Sequence, residues 1–285
     1  MHKLIHSIEH SFLDSIKLLP FLFIAFLIIE LIEHKLSNKS KKVISKSGKY
    51  GPILGSLLGL IPQCGFSVVA TNLYITRIIS LGTLISIYLS TSDEMLIILL
   101  SKNANVKTIL PLLLVKFSIG MISGFLIDFI LRNKKKKQET YSICEDEHCG
   151  CEHEENLLKS SLIHTIKTFI FIFLATFLIT YIFELFGEEY LSKLLLKDTI
   201  ISPFITSLIG LIPNCASSVI LTELYLSESI NFASIISVLL TGSGVAILVL
   251  FKSNKNLKEN LTILSLIYGI GVISGIIITI ISHLF

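Results

Sequence analysis

The chain has 285 residues, of which 52% are hydrophobic and 16% are charged, with a formal net charge of +3. Its mean hydropathy is +0.78, whereas soluble globular domains carry about 25% charged residues. This composition excludes an ordinary soluble domain, and the lysine clusters indicate membrane topology rather than nucleic-acid binding. Several apolar runs approach or exceed the roughly 20 residues that cross a bilayer as a helix. The sequence therefore predicts an all-α polytopic membrane protein.

The apolar segments form two groups of four, separated by one polar stretch. In chain order they span about 16–32, 51–77, 81–100, 109–131, 163–186, 201–226, 232–251 and 261–284. The second segment of each group is broken in its middle, by IPQCG and by IPNCA. We therefore predict a first membrane repeat over 1–131, a cytoplasmic linker over 132–159 and a second membrane repeat over 160–285.

The two groups are copies of one unit. A shift of 151 residues lays 52–74 on 203–225 without a gap, and 13 of the 23 positions are identical. The identities include Pro, Cys, Ser, Thr and Tyr, which a shared apolar composition does not explain. The same shift lays IGMISG (119–124) on IGVISG (270–275). Internal similarity at a fixed offset is typical of a duplicated structural unit.

Loop charge indicates how the two copies face the membrane. The loop 33–50 holds six lysines and the stretch 132–159 opens with an arginine and four lysines, so both are expected in the cytoplasm. A broken segment that crossed the bilayer would put these loops on opposite sides, whereas a re-entrant hairpin puts them on the same side. We therefore predict two inverted repeats, each with three transmembrane helices and one re-entrant, broken helical hairpin. Lys102 and Lys107 fall on the outer side against the rule.

The hairpin tips are predicted to meet near the bilayer midplane. An arm of about 12 residues is ~18 Å long, which passes the middle of a ~30 Å hydrocarbon core without crossing it. Secondary transporters build substrate sites from such interrupted helices. The predicted substrate-binding residues of the tips are Gln63, Cys64, Ser67 and Thr71 in the first copy and Asn214, Cys215, Ser218 and Thr222 in the second. In the alternative, these residues only shape the hairpins and the cysteines pack as small hydrophobes.

Polar residues interrupt the third segment and complete the predicted site. Ser92, Asp93 and Glu94 lie inside an apolar run, and an acid at membrane depth is a functional candidate by default. Gly244 replaces the aspartate in the second copy, so the site is expected to be asymmetric. Lys116 is expected either to neutralise one of the acids or to extend toward the headgroups. Glu223, aligned with Asn72, is either a further ligand or an interfacial residue.

The linker contains CEDEHCGCEHEE at 144–155, which is rich in metal-ligand types. Its candidate metal ligands are Cys144, His148, Cys149, Cys151 and His153. Thiolate and imidazole groups suit zinc and similar metals, so we predict a metal collector or sensor. The spacing fits no standard zinc finger, and the alternative is a disordered acidic linker. No other cofactor is expected.

Over nearly its whole length the chain resembles the bacterial ten-span heavy-metal exporter family (ArsP-like), whose members are named arsenic efflux proteins or manganese transporters. The resemblance rests on GLIPQCGFSVVATNLY, STSDEMLI, the Cys/His loop leading into LKSSLIHTIKTFIFIFLATF, and GLIPNCASSVILTELYLS. Each hairpin counted as two segments gives ten here as well. The third-span motif of the family is richer in Asn and Asp than TSDE. The resemblance implies a multi-pass protein of the bacterial plasma membrane.

Together these features predict a secondary-active exporter rather than an enzyme. No P-loop pattern that would supply an ATPase is present in the sequence. The expected substrate is manganese or another divalent transition metal, or arsenite, bound at the midplane between the tips. Oxygen ligands favour manganese, and the two tip cysteines favour arsenite or zinc. The alternative is a transporter of an organic anion or amino acid whose carboxylate binds the hairpin helix N-termini.

Overall fold

The computed structural model describes residues 16, 19, 20, 22–24, 26, 27, 50–62, 64–132, 157–186, 201–213 and 215–284. Within this part of the chain the regular structure is helical and contains no strand, which confirms the all-α class. The helices with defined bounds are α1 (Gly51–Gly59), α2 (Cys64–Ile75), α3 (Leu81–Ser90), α4 (Asp93–Ser101), α5 (Val106–Arg132), α6 (Leu157–Phe186), α7 (Ser202–Gly210), α8 (Cys215–Leu226), α9 (Phe232–Thr241), α10 (Ala246–Ser253) and α11 (Leu257–Leu284).

The described segments that are long and apolar enough to cross a membrane are Leu81–Ser101, Val106–Leu131, Ser161–Leu178, Phe232–Ser253 and Leu257–Ser282. The protein is therefore a multi-pass membrane protein. Two of these spans are broken: α3 and α4 form one, and α9 and α10 form the other. The broken spans are 75% and 83% buried, against 22% for the span within α5. Freed backbone groups need protein around them at membrane depth, and the broken spans lie in the interior.

Equivalent helices of the two halves begin with the same kinds of N-cap and first-turn residues. Ser80 caps α3 by accepting from the Thr83 amide over 3.1 Å, and Asn231 caps α9 by accepting from the Ser234 amide over 2.8 Å. These caps are 151 residues apart and satisfy amides that have no partner inside the helix. α1 and α7 each carry proline in the first turn, where the missing N–H costs nothing.

Within each half, three helices pack tightly together. α1 packs against α3 and α5, and α7 packs in the same way against α9 and α11. One close approach is at Gly124, where an added Cβ would lie 2.6 Å from the carbonyl oxygen of Gly82 and 2.9 Å from Cβ of Pro52. Small residues let helix backbones touch, which is how helices associate without a hydrophobic driving force.

Between the halves, the packing is reciprocal. α2 of the first half packs against α10 of the second, and α8 of the second half packs against α4 of the first. α3 also contacts α9, and fully buried side chains from both, such as Leu84 and Ile235, belong to one hydrophobic cluster. The helix after each tip therefore packs against the second part of the other half's broken span, and the two copies share a single core.

Gly124→Ala is expected to lower stability by about 1–3 kcal/mol, the usual cost of forcing an extra group into a packed core. The neighbour of the new methyl group is a backbone carbonyl, which cannot rotate away. Gly269→Ala in α11 is the matched control, because an added Cβ there meets nothing within 4 Å. That change should leave the unfolding midpoint unchanged or raise it. Thermal unfolding in detergent measures both, and equal midpoints would contradict the close packing of α3 on α5.

Candidate functional site

The two GLIPxC tips adopt the same backbone turn. The Ile61 amide donates to the Leu58 carbonyl over 3.2 Å, and the equivalent Ile212 amide donates to the Ile209 carbonyl over 3.0 Å. A proline follows in each copy and has no N–H with which to continue the helix. α2 and α8 begin two residues after the proline, at Cys64 and Cys215. Each tip is therefore a short non-helical link between two helices.

The break in the first half is bonded directly to the first tip. Thr91 leaves the helix, with φ −53° and ψ 126°, while its amide still donates to the Ile87 carbonyl over 2.9 Å. The next amide, of Ser92, donates to the carbonyl of Gly59 over 3.2 Å. Both residues are almost fully buried. The tip thus satisfies a backbone group that the break in the neighbouring span releases.

The break in the second half lies against the second tip in a related way. A Cβ added to Gly242 would lie 3.6 Å from Oγ of Ser218 and 3.9 Å from the carbonyl oxygen of Gly210. Gly244 has φ 55°, a left-handed conformation that glycine adopts without strain. The backbone of this break therefore accounts for glycine at the position that Asp93 holds in the first half.

The predicted threonine ligands have protein partners. Thr71 is fully buried and donates to the Ser67 carbonyl over 2.7 Å, so the Tyr88 hydroxyl, 2.5 Å away, is the donor to Thr71. Thr222 donates to the Ser218 carbonyl over 2.6 Å. The Thr71 hydroxyl therefore joins α2 to α3. This bond supports the alternative in which Thr71 shapes the hairpin.

Lys116 lies beside the first break. Its side chain is 0% exposed, and its ammonium donates to the carbonyl of Thr91. The alternative in which this lysine extends toward the headgroups is wrong, because the side chain ends at the broken span. The equivalent position in α11 is Ile267, so the second half has no counterpart of this charge.

Asn72 is a site candidate that the sequence analysis noted only through its alignment with Glu223. Its side chain is 0% exposed, and neither amide atom has a hydrogen-bond partner among the described residues. An amide in an apolar segment was the signal available in the sequence. Glu223 itself is half-exposed and pairs with Lys102 over 3.2 Å, which supports its interfacial alternative.

Several predicted ligands stay predictions. Gln63, Asn214 and the linker residues Cys144, His148, Cys149, Cys151 and His153 lie outside the described residues, as do the side chains of Cys64, Asp93, Glu94 and Cys215. The backbone nevertheless places the cysteines at the starts of α2 and α8 and the two acids at the start of α4. Among the side chains that are described, no three of the His, Cys, Asp or Glu type come together.

Ion pairs join the two halves at both ends of the cross-packed helices. After α2, Arg77 forms two hydrogen bonds of 2.7 and 3.1 Å with Glu259 at the start of α11. Glu259 also accepts from the Tyr74 hydroxyl and from the Asn254 amide. These two charged side chains are 18% and 17% exposed, whereas those of the Lys102–Glu223 pair are 58% and 51% exposed. The sequence analysis predicted neither pair.

Comparison with known families matches both halves. A family described as "Putative, 10TM heavy-metal exporter" matches residues 2–182 and residues 165–284. No curated protein and no solved structure matches the chain. Each matched range contains one tip and one broken span, the features that form the candidate site.

Thr71→Val is expected to destabilise the protein by about 1–3 kcal/mol, because it leaves the buried Tyr88 hydroxyl without its acceptor. Thr222→Val, the equivalent change in the second half, removes only a bond within its own helix and is the matched control. Adding Tyr88→Phe to Thr71→Val should restore most of the loss. Thermal unfolding of the three variants measures this, and equal losses in both valine variants would contradict the bond between α2 and α3.

Proposed function

The chain belongs to the family of ten-span heavy-metal exporters, and from this premise we propose that it is a secondary-active exporter of a metal or metalloid ion in the bacterial plasma membrane. The ion binds at the bilayer midplane between the two GLIPxC tips. The observation that carries the proposal is the contact of each tip with a broken, buried span: Gly59 with Ser92, and Gly210 with Gly242. Secondary transporters hold ions at such interruptions.

The chemistry of this centre suits a cation. The helices α1 and α3 end at the first tip and break, and α7 and α9 end at the second. Helix C-termini carry free carbonyls and partial negative charge. Asp93 and Glu94, at the start of α4, add carboxylates in the first half. Oxygen ligands of this kind favour manganese or a similar divalent metal. Thiolates of Cys64 and Cys215 would favour arsenite or zinc instead.

Contacts along α1 support the re-entrant hairpin. Gly51 lies beside Thr83 at the start of α3, and Gly59 lies beside Ser90 at its end. α1 and α3 therefore run side by side in the same direction. α2 connects the end of α1 to the start of α3, so it has to return the chain to the level from which α1 began. The hairpin thus enters and leaves on one side.

The ion pairs support the inverted arrangement of the repeats. The Arg77–Glu259 pair joins the ends of α2 and α10, and the Lys102–Glu223 pair joins the ends of α8 and α4. Helices that pack together and meet at their ends run in the same direction, so α2 is parallel to α10. Since α2 runs opposite to α3, and α10 continues the span of α9, the spans of the two halves run in opposite directions.

Alternating access follows from rocking one half against the other around the central site. The lysine-rich loops place the Arg77–Glu259 end in the cytoplasm. That end is closed by a bidentate, largely buried pair, while the opposite end has only an exposed pair. The described conformation is therefore closed on the cytoplasmic side. Export requires the Arg77–Glu259 contact to open so that the ion can enter.

A specific observation also favours a second candidate, a transporter of an organic anion or amino acid. The helices α2 and α4 begin at the first tip and break, and α8 and α10 begin at the second. Helix N-termini attract anions. The same centre thus presents N–H groups as well as carbonyls. A carboxylate substrate would use the former and leave the cysteines and acids without a role.

Cellular accumulation distinguishes these candidates. Cells with and without the protein are loaded with manganese, zinc, iron, cobalt or arsenite, and the element content is measured. We expect lower accumulation of one element when the protein is present, since an exporter lowers the internal concentration of its substrate. Unchanged accumulation of all five would overturn the exporter and leave the anion transporter as the better proposal.

The Cys64→Ser and Cys215→Ser double variant then decides the ligand type. If thiolates bind the ion, this variant loses the protective effect. Full protection against manganese by the double variant would exclude thiol ligation at the midplane.

Glu259→Gln should shift the protein toward the state that is open to the cytoplasm. Loss of the charge pair destabilises the closed state by ~1 kcal/mol, which changes the equilibrium between the closed and open states about fivefold. A larger fraction of protein that is open to the cytoplasm raises the apparent affinity for the ion. We expect the half-saturating ion concentration in inside-out vesicles to fall by about this factor. Arg77→Gln should do the same.

Glu223→Gln is the control, because exposed pairs contribute little. An unchanged half-saturating concentration in Glu259→Gln, with normal folding by size-exclusion chromatography, would exclude this pair as a cytoplasmic gate.

A further inference from the structure

Lys116 carries a positive charge inside the membrane-spanning part of the protein. It is among the largest fully buried side chains of the described chain, with 0% exposure, and it lies in the middle of a membrane span. Burying an ammonium is costly unless opposite charge or hydrogen-bond acceptors compensate it. A purely apolar residue at this position, such as Ile267 in the second half, would avoid the cost.

Lys116 donates to a carbonyl of the break itself. The ammonium donates to Thr91, which lies between α3 and α4 and outside both helices. The following amide, of Ser92, is bonded to Gly59 at the tip of the hairpin. Lys116 therefore contacts the place where tip and broken span meet, at an oxygen that a metal ion in the proposed site would use.

Among the described helices that pack against α5 or form the first break, the titratable groups near Lys116 belong to the same half. α1 and α9, which pack against α5, carry no titratable side chain in their sequences. α3 contributes Tyr88, whose hydroxyl bonds Thr71, and α4 begins with Asp93 and Glu94. The first break thus combines two acids and one ammonium, whereas the second combines glycines with an isoleucine.

We propose that the Lys116 ammonium is the resident cation of the transport site, and that a divalent metal ion binds by displacing it from the Thr91 carbonyl. This inference rests on the proposed exporter function and adds the residue with which the substrate competes. In the absence of the metal, the ammonium holds the carbonyl and supplies positive charge near the acids. The unloaded protein can then change conformation without an uncompensated charge at its centre.

Displacement follows from electrostatics. A divalent ion at the same carbonyl would lie within a few ångströms of the ammonium, and like charges repel strongly in a protein interior. The two cations therefore exclude each other. Removing the ammonium removes the competitor, so metal binding should become tighter, which is the opposite of what loss of a ligand would do.

The test is Mn²⁺ binding to the purified full-length protein in detergent, by equilibrium dialysis. Lys116→Met keeps the length of the side chain without its charge, and we expect it to bind Mn²⁺ at least about tenfold more tightly than the unmodified chain. Lys116→Arg retains the competing charge and should bind no more tightly. Lys252→Met is the matched control, because Lys252 lies near the end of α10, away from where that helix begins, and donates to Thr168 of α6. That variant should bind as the unmodified chain does.

The outcomes separate this inference from the exporter proposal. Tighter binding in Lys116→Met alone supports displacement, and size-exclusion chromatography verifies that the variant is folded. If Lys116→Met does not fold, Lys116→Gln carries the same expectation. Equal or weaker binding in the neutral variants overturns the displacement and leaves the exporter standing. Absence of Mn²⁺ binding in every variant, together with unchanged cellular accumulation of all five elements, overturns both.

Discussion

A helix that is interrupted inside a bilayer releases backbone N–H and C=O groups that lipid cannot satisfy. The described structure resolves this constraint twice, by burying each interruption and by setting a second interruption against it. The Ser92 amide at one break bonds the Gly59 carbonyl at one tip. The Thr91 carbonyl at the same break is bonded by Lys116. The tight helix contacts around Gly124, and the burial of the broken spans, serve to keep lipid away from this centre.

Duplication explains the geometry of the centre and divergence explains its charge. Equivalent residues cap α3 and α9, and equivalent glycines end α1 and α7. The charges are not duplicated: Lys116 corresponds to Ile267, and Asp93 corresponds to Gly244. A duplicated scaffold can therefore place two interruptions at one depth while only one half supplies ionisable groups. For the proposed exporter, a single ion bound closer to the first half fits this distribution better than two equivalent ions.

Local features of the fold could be predicted from the sequence, and distant partnerships could not. Pro62 and Pro213 end helices by their own chemistry, so both tips were predictable, and Ser92 marked the third span as interrupted. Glu259 pairs with Arg77 at a separation of 182 residues, and nothing local to either residue indicates the other. Lys116 left two alternatives, because the direction in which a long side chain extends depends on which helices surround it.

In the proposed exporter with inverted repeats, the ion pairs that have no counterpart in the other half bear on the direction of transport. In an inverted repeat with identical halves, exchanging the conformations of the two halves converts the inward-open state into the outward-open state, so both have equal free energy. The Arg77–Glu259 pair corresponds to Glu228 and Thr108 on the opposite face, and the Lys102–Glu223 pair corresponds to Ser253 and Asn72. Neither pair can re-form after the exchange. The sequence differences between the halves therefore make the two end states unequal, and the buried, bidentate pair favours the state that is closed at its own end. In the proposed exporter, the bound ion has to supply differential binding energy to open this end, which ties opening of the cytoplasmic side to the presence of substrate.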